Sequence, residues 1–374
     1  MSDWIQTISD WMSQIEAQYE ALKSSVWKSL GLNDPIQIMP YRSYGTKERL
    51  HLKGRVLQDE GIKPTNENTP IWENLRNMYR RFESDEIPGA RVRISFEGQH
   101  FDVVADKEGF FEAEIKLTAT LSSDRSWYNI DLELLDPQPE DQPCIRTTAQ
   151  VLVPPQTAKF GVISDIDDTI VHTAATDPLR MFWVVYLGNA QTRLPFPGVA
   201  AFYQALQQGE SGQENNPIFY VSSSYWNLYD LFDAFMELHN LPMGPLLLRD
   251  IELSPENFLS FSHQRHKLSK ICPILESYPD LPFILVGDSG QDDAEIYRQI
   301  VHDYPNRILG VYIRNVSSNN SERQKVLDTI ASEVRQAGSE FVLVPDTVAA
   351  ATHAAQHEWI STEVLPTIQA QQSR

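Results

Sequence analysis

Cysteine is nearly absent from this chain, whose 374 residues include only Cys144 and Cys272. The two lie far apart and outside any CxxC spacing, so the sequence offers neither a disulfide framework nor a cysteine-based zinc site. This usage is typical of proteins in a reducing compartment. We therefore expect a cytoplasmic protein.

Positive charge is also scarce, with 31 basic against 51 acidic residues and a formal net charge of -20. Such a surface repels nucleic acid, and we predict no nucleic-acid partner. No apolar run approaches the length that spans a bilayer, and acidic residues stand at the N-terminus where a secretory signal needs basic ones. We expect no membrane-spanning helix, with peripheral contact at a membrane as the remaining membrane role. Nothing in the sequence indicates the oligomeric state.

Apolar residues recur at steps of three or four between residues 4 and 30. This helical period predicts one long amphipathic helix over residues 1–31. One interpretation is a helix that lies on a membrane surface. The polar face lacks the basic bias of such helices, which favours packing on the protein itself or on a partner.

Short runs of alternating apolar and polar residues predict a mostly antiparallel, β-sandwich-like domain over residues 32–155. Within it we predict a helical insertion at 72–82 and a hairpin turn at 106–109. The proline-rich segment 136–143 is interpreted as a loop, because a strand-like run follows it and Pro154-Pro155 is the better domain break. No cluster of chemically active residues occurs here, so a binding or scaffolding role is expected.

The third predicted region, residues 156–374, alternates near-continuous apolar runs with amphipathic helical stretches. Uninterrupted runs such as FGVIS and FILVG are typical of parallel strands buried on both faces. The pattern predicts an α/β fold with a doubly wound, Rossmann-like parallel sheet.

Two carboxylates, Asp165 and Asp167, follow the buried run FGVIS. Ligands of open parallel sheets bind at this end of the strands. Two aspartates converging on one small volume repel each other unless a cation screens them, and Mg2+ is commonly held by one or two carboxylates with a substrate phosphate. The alternative is an acidic cap at the start of the next helix.

Further polar groups follow other predicted strands. Asp288 and Asp292 come after FILVG, so Asp288 is expected to meet the first cluster and Asp292 to orient a metal or its water. Ser222 and Ser223 follow PIFYV, where a hydroxyl and backbone N–H groups can bind a phosphoryl oxygen. Lys267 supplies a positive charge. Taken singly, the serines are also explained as a helix cap and the lysine as a solvated side chain.

The ordered set Asp-x-Asp-x-Thr, Ser, Lys and Gly-Asp-x-x-x-Asp resembles the motifs of the haloacid dehalogenase superfamily. The resemblance implies that fold with a minimal cap, and a magnesium-dependent phosphohydrolase. It implies that Asp165 is the nucleophile and forms an aspartyl phosphate, that Asp167 is the general acid and base, and that Thr169 supports the loop near the substrate.

The same resemblance implies that Ser222 and Lys267 bind the phosphoryl group. The metal would be held by the side chains of Asp165 and Asp288 with the backbone carbonyl of Asp167. Asp292 is predicted to complete the metal site.

A narrower resemblance covers about residues 160–313. The words DIDDT, RLPFPGVAAFY, YVSSSYWNLYD, LPMGPLLLRD and GDSGQDDAEIY are similar to the catalytic domain of the actin-patch-associated phosphatidate phosphatases and their bacterial relatives. PYRSYGT and GRVL upstream are similar to the companion region of the bacterial members. Tyr225 departs from the pattern, since proline is expected after the serines. The resemblance implies hydrolysis of phosphatidate, or a related lipid phosphate, to diacylglycerol and phosphate.

Residues 177–196 are rich in apolar and aromatic side chains and form a candidate flap for acyl chains, with Arg180 and Arg193 near the headgroup. A buried core element at 181–187 is the alternative. Arg249, at a strand edge, is a candidate phosphate contact or a structural ion pair. His263 and His266 flank the predicted lysine and are interpreted as local supports.

Three functions stay open at this point. The first is a magnesium-dependent phosphatidate phosphatase. The second keeps the mechanism but acts on a soluble phosphomonoester or a phosphoprotein. The third is a membrane-site adaptor with vestigial activity.

Overall fold

The computed structural model describes residues 35–59, 86–122, 125–139, 144–167, 169–170, 196–249, 263–316 and 320–372. The predicted N-terminal helix, the helical insertion at 72–82 and the candidate flap up to residue 195 lie outside these residues.

A mostly antiparallel sheet of eight strands forms the first part of the chain. Its strands are β1 (Ile36–Pro40), β2 (Ser43–Gly45), β3 (Arg49–Gln58), β4 (Arg91–Phe96), β5 (Gln99–Val104), β6 (Phe110–Lys116), β7 (Trp127–Asp136) and β8 (Arg146–Leu152). The order is β1-β3-β2-β8-β7-β4-β5, with β6 also paired to β3. Only β2 and β8 are parallel, so the sheet is mixed. The loop after Asp136 joins β7 and β8, which pair directly with each other.

The turn at 106–109 forms as predicted, with the Asp106 carboxylate accepting from the backbone N–H of Glu108 and Phe110 at 2.9 Å. The prediction that it closes a hairpin is wrong. β5 pairs with β4, whereas β6 pairs with β3 over seven register positions. The turn therefore passes the chain between two different partners, a long-range choice that the local alternation does not encode.

The second sheet has six strands, and all of its neighbouring pairs are parallel. They are β9 (Gly161–Asp165), β10 (Ile218–Tyr225), β11 (Leu246–Arg249), β12 (Phe283–Asp288), β13 (Ile308–Arg314) and β14 (Glu340–Val344). Every residue of β9 and β12 is buried, as their unbroken apolar runs predict.

Helices cover both faces of the second sheet. They are α1 (Val199–Gln208), α2 (Tyr229–Leu238), α3 (His263–Ser277), α4 (Asp293–Asp303), α5 (Ser321–Gln336), α6 (Thr347–Gln356) and α7 (Leu365–Gln372). α1, α2, α6 and α7 pack in one apolar core, and α3, α4 and α5 pack in another. Side chains of β10 alternate between the two cores, since Ile218 and Tyr220 belong to the first and Phe219 and Val221 to the second. This is the predicted α/β layering.

The strand order places a crevice at the carboxyl end of β9. The order is β11-β10-β9-β12-β13-β14, so the chain winds outward from β9 in one direction and then returns to wind outward in the other. Ligands of open α/β sheets bind at such switch points. None of the helices in the described ranges combines the length and apolar character that crossing a bilayer requires.

The two sheets are joined by aromatic and ionic contacts between the β1–β2 segment and residues that follow β10. Tyr41, after β1, stacks on Trp226 with ring centroids 4.3 Å apart. The backbone N–H of Arg42 donates to the Tyr229 hydroxyl at 2.7 Å, and its guanidinium pairs with Asp233. The segment between β1 and β2 is therefore fastened to the beginning of α2.

Replacing Arg42 with alanine is expected to destabilise this junction. Burial raises the pKa of Asp233 and Arg42 opposes that rise, so the half-buried carboxylate loses its compensating charge. We expect the free energy of unfolding to fall by about 1–2 kcal/mol in chemical denaturation. Arg49→Ala, which removes an exposed pair with Glu114, is the control and should change it by less than about 1 kcal/mol. Equal effects of the two variants would contradict a stabilising junction.

Candidate active site

The first acidic motif ends the central strand of the parallel sheet. Asp165, the last residue of β9, is 1% exposed. The hydroxyl of Thr169 donates to Asp165 Oδ2 at 3.2 Å, and Lys267 Nζ lies 2.7 Å from Asp165 Oδ1. Both oxygens of this carboxylate therefore have defined neighbours, which orients it.

Asp167 is held from the neighbouring strand. The hydroxyl of Ser222 donates to Asp167 Oδ2 at 2.8 Å and accepts from the backbone N–H of Ser224 at 3.0 Å. His266 Nε2 lies 3.2 Å from the Ser222 carbonyl oxygen, so this histidine supports the same strand end. Ser223 is also buried there. Ser222 thus positions the second aspartate, and the phosphoryl contacts predicted for the two serines stay a prediction.

The second acidic motif ends β12 beside β9. Asp288 is buried, and its Oδ1 accepts from the backbone N–H of Gly290 at 2.6 Å and of Gln291 at 3.0 Å. These bonds form a tight turn that fixes the carboxylate before α4 begins. The predicted meeting of two strand ends, one with Asp165 and one with Asp288, therefore occurs.

Asp293, which the sequence pattern does not single out, is the other buried acid of this motif. Its carboxylate pairs with Lys267 and accepts from the backbone N–H of Asp288 at 3.1 Å. Asp292, the residue predicted here, is exposed at the N-terminus of α4 and makes no capping hydrogen bond through its side chain. Side chains in a helix point back toward its N-terminus, so the first helical residue reaches over the strand end. A Cβ at Gly287 would lie 2.5 Å from Asp293 Oδ2, which explains a glycine there.

Lys267 is the single buried cation at the centre of this acidic group among the described residues, and it contacts both Asp165 and Asp293. Burial lowers its pKa, but the two carboxylates outweigh burial and raise the pKa above its usual range. Burial also raises the pKa of Asp165 well above its usual range; Lys267 opposes this, and the neighbouring acids, among them Asp167 and Asp288, add to it. The carboxylates of this site therefore outnumber its one buried lysine.

One carboxylate oxygen from each of Asp165, Asp288 and Asp293 lies within 4.8 Å of the others. Hard oxygen donors at this spacing suit a divalent cation of the magnesium type. A cation there would also offset the negative charge that raises the pKa of Asp165. The chemistry of the donor set thus fits a metal. Asp293 belongs to this group of oxygens, and the metal role predicted for the exposed Asp292 stays a prediction.

Two arginines that sequence reasoning missed brace the acidic loops. Arg314, at the carboxyl end of β13, donates to the Thr169 carbonyl at 3.2 Å. Arg323, from α5, donates to the carbonyls of Ser289 at 2.9 Å and Gln291 at 2.7 Å. Arg314 could have been found from the sequence, because it ends the apolar run ILGVYIR and therefore lies at the same edge of the sheet as the acidic motifs.

The remaining candidates lie at or beyond the edge of the described site. Arg249 stands beside Tyr225 in the β10–β11 pairing, with its guanidinium carbon 5.9 Å from the tyrosine ring centroid. Tyr225, which replaces the expected proline, thus lies next to the predicted phosphate contact. Arg180, Arg193 and the side chain of His263 lie outside the described residues.

Buried carboxylates and a buried lysine at the switch point of a parallel α/β sheet define a class of domain that can hold a cation and an anionic group. Residues 160–315 match the family described as phosphatidate phosphatase APP1, catalytic domain. The match contains the buried carboxylates and the buried lysine of the site described above. The predicted resemblance of this segment to the APP1-like phosphatidate phosphatases is thereby confirmed.

Two curated relatives match the chain. It is 34% identical to phosphatidate phosphatase APP1 of Saccharomyces cerevisiae over 176 residues, which are 47% of this chain and 29% of that protein. It is 25% identical to an uncharacterised protein of Schizosaccharomyces pombe over 252 residues, 66% of this chain and 40% of that protein. The chain therefore spans well under half the length of both.

Among solved structures, a carbohydrate acetylesterase from Xanthomonas citri matches with a TM-score of 0.30 and 10% identity, over 88% of this chain and 71% of that one. Similarity at this level supports no conclusion about fold or function.

Proposed function

We propose that this chain is a phosphoric monoester hydrolase, specifically a magnesium-dependent phosphatidate phosphatase of the haloacid dehalogenase type. The observation that carries the proposal is that the family-matched segment brings Asp165, Lys267 and the acids after β12 to one sheet edge. We place the activity in the cytoplasm, with the enzyme meeting its lipid substrate at a membrane surface.

Asp165, Asp288 and Asp293 are the side chains that would hold the metal. When bound, magnesium offsets the charge of the phosphoryl group and of the carboxylates, which lowers the barrier to anionic attack on an anionic ester. The backbone carbonyl of Asp167 is the further ligand that the resemblance implies.

Asp165 is the proposed nucleophile. Thr169 and Lys267 hold its two oxygens, so attack on phosphorus needs little reorientation of the carboxylate. The bond from Asp165 to phosphorus forms as the bond from phosphorus to the alcohol oxygen breaks, giving an aspartyl phosphate and the free alcohol. Lys267, held protonated by its two carboxylates, stabilises the negative charge that shifts between phosphate and aspartate.

Asp167 is the proposed acid and base. It gives its proton to the departing alcohol oxygen, and then takes a proton from the water that attacks the aspartyl phosphate. Inorganic phosphate leaves and Asp165 is restored. The hydrogen bond from Ser222 holds the Asp167 carboxylate in position for both transfers.

Phosphatidate is proposed as the substrate from the family and from the name of the yeast relative. The net charge of -20 argues in the other direction, because it gives no general attraction to an anionic membrane. A soluble phosphomonoester is therefore the second candidate, and it uses the same site.

Phosphate release from phosphatidate in mixed micelles, compared with a soluble phosphomonoester, tests the substrate. We expect magnesium-dependent release with kcat/KM for the lipid at least about 10-fold above that for the soluble ester, a difference of about 1.4 kcal/mol in barrier. Adding detergent to the soluble assay controls for the micelle itself. Equal or higher kcat/KM for the soluble ester would discard the lipid and retain the mechanism.

The two neighbouring aspartates at the start of α4 provide a matched pair of variants. Asp293→Asn is expected to lower magnesium-dependent phosphate release by about 100-fold, because a proposed ligand and the partner of Lys267 is lost. Asp292→Asn changes an exposed side chain and should alter release by less than about 3-fold. Steady-state assays at varied magnesium concentration separate them. The reverse order of effects would return the role to Asp292.

A further inference from the structure

A second group of metal-type ligands lies at the opposite edge of the parallel sheet. Glu340 begins β14, and His353 and His357 lie one turn apart at the end of α6. One ligand atom from each lies within 4.8 Å of the other two. Asp165 and Asp288 end their strands, so the two groups occupy opposite edges.

The ligand atoms of this group are spaced somewhat more widely than those around a bound metal. His353 Nε2 lies 3.8 Å from Glu340 Oε2, too long for a hydrogen bond between them. In a tetrahedral site with ligand bonds of about 2 Å, two ligands stand about 3.3 Å apart. His357 is exposed and the Glu340 side chain is 44% exposed, so both can rotate by the small amount required.

Tyr312 gives His353 the support that metal-binding histidines usually have. Its hydroxyl lies 3.0 Å from His353 Nδ1, on the far side of the ring from Glu340. A hydroxyl both donates and accepts, so Tyr312 can accept from Nδ1–H and leave the Nε2 lone pair directed at the metal.

The place in the helix also favours a cation. His353 is in the last turn of α6 and His357 is its C-terminal capping residue, where the helix dipole is negative. The rings of the two histidines are stacked with centroids 4.3 Å apart, which brings both imidazoles to one side of the helix.

We propose that Glu340, His353 and His357 form a second metal site that takes a transition metal such as Zn2+, separate from the catalytic edge. Two imidazoles and a carboxylate suit zinc, whereas magnesium prefers oxygen ligands alone. The site links the first residue of β14 to the end of α6, and solvent completes the coordination.

Calorimetric titration of the full chain with Zn2+ in a large excess of Mg2+ tests the proposal, because magnesium then occupies the acidic site. We expect one zinc equivalent whose affinity falls about 100-fold in His357→Ala and about 10-fold in Tyr312→Phe. His302→Ala is the control, since His302 pairs with a single carboxylate, Asp303, on an exposed surface. It should bind zinc like the native chain.

His357 is exposed, so its replacement should not disturb folding, and circular dichroism checks this. Magnesium-dependent phosphate release should be unchanged in His357→Ala. The proposal is overturned if the native chain binds no zinc under these conditions. It is also overturned if His357→Ala binds zinc as tightly as the His302→Ala control.

Discussion

Asp165→Asn is expected to reduce phosphate release in magnesium at least about 1,000-fold, while in chelator its fold should be at least as stable as the native one. Asparagine keeps the shape of the side chain and an oxygen that accepts from Thr169. It cannot act as the nucleophile, so the first chemical step is lost. The loss should appear in kcat, because the phosphoryl contacts proposed for the other residues are retained in this variant.

The same variant should respond differently to magnesium. Burial and the neighbouring acids raise the pKa of Asp165, so in chelator the ionised carboxylate destabilises the fold. This loss of stability grows as the pH rises above the pKa that the Asp165 carboxyl has in the unfolded chain. In chelator at neutral pH, the variant should therefore unfold at the same temperature as the native chain or higher. Magnesium should raise the unfolding temperature of the native chain and raise that of the variant less.

Asp328→Asn is the matched control, because Asp328 is exposed on α5 far along the chain from the acidic motifs. It should retain both native activity and the native response to magnesium. An Asp165→Asn protein that still releases phosphate within about 10-fold of the native rate would exclude Asp165 as the nucleophile.

Lys267→Met is expected to cause the largest loss of stability. The lysine is 1% exposed and contacts both Asp165 and Asp293, so its removal leaves two buried carboxylates without their cation. Removing one partner of a buried pair typically costs 3–5 kcal/mol, and we expect about that loss in the free energy of unfolding in chelator. Methionine retains most of the volume, so the loss reports charge rather than a cavity.

Asp293→Asn in the Lys267→Met background provides the test of cause. Removing one of the two stranded charges should recover about 1–2 kcal/mol of the loss, measured as a double-mutant cycle in denaturant. Lys325→Met, at an exposed position of α5, is the control for the substitution itself. No recovery in the double variant would mean that Lys267 stabilises the fold by packing alone.

The parallel sheet and the meeting of the motifs could be predicted because both follow from local sequence. An unbroken apolar run of strand length, as in β9 and β12, is what burial on both faces requires. The carboxyl ends of parallel strands lie at the same edge of the sheet. Asp165 and Asp288, which end neighbouring strands, are therefore expected to lie near each other. The mostly antiparallel strands of the first sheet could be predicted because their alternation of apolar and polar residues is also a local pattern.

Choices that depend on distant residues could not be predicted. The burial of Asp293 and the exposure of Asp292 depend on the exact residue at which α4 begins, and sequence patterns do not define helix boundaries to one residue. The contacts of Arg314 and Arg323 with the acidic loops join residues far apart in sequence. The partners of β5 and β6 depend equally on tertiary pairing. These features became visible only with the fold.

The most direct test of the central claim is phosphate release from phosphatidate by the native chain in magnesium, in chelator, and after magnesium is restored. If a divalent cation at the carboxylates of Asp165, Asp288 and Asp293 is required, phosphate is released in magnesium. We expect the rate of release to fall at least about 100-fold in chelator and to recover when magnesium is restored. Release that is unchanged in chelator, or absent in every condition, would contradict a metal-dependent phosphohydrolase at this edge of the sheet.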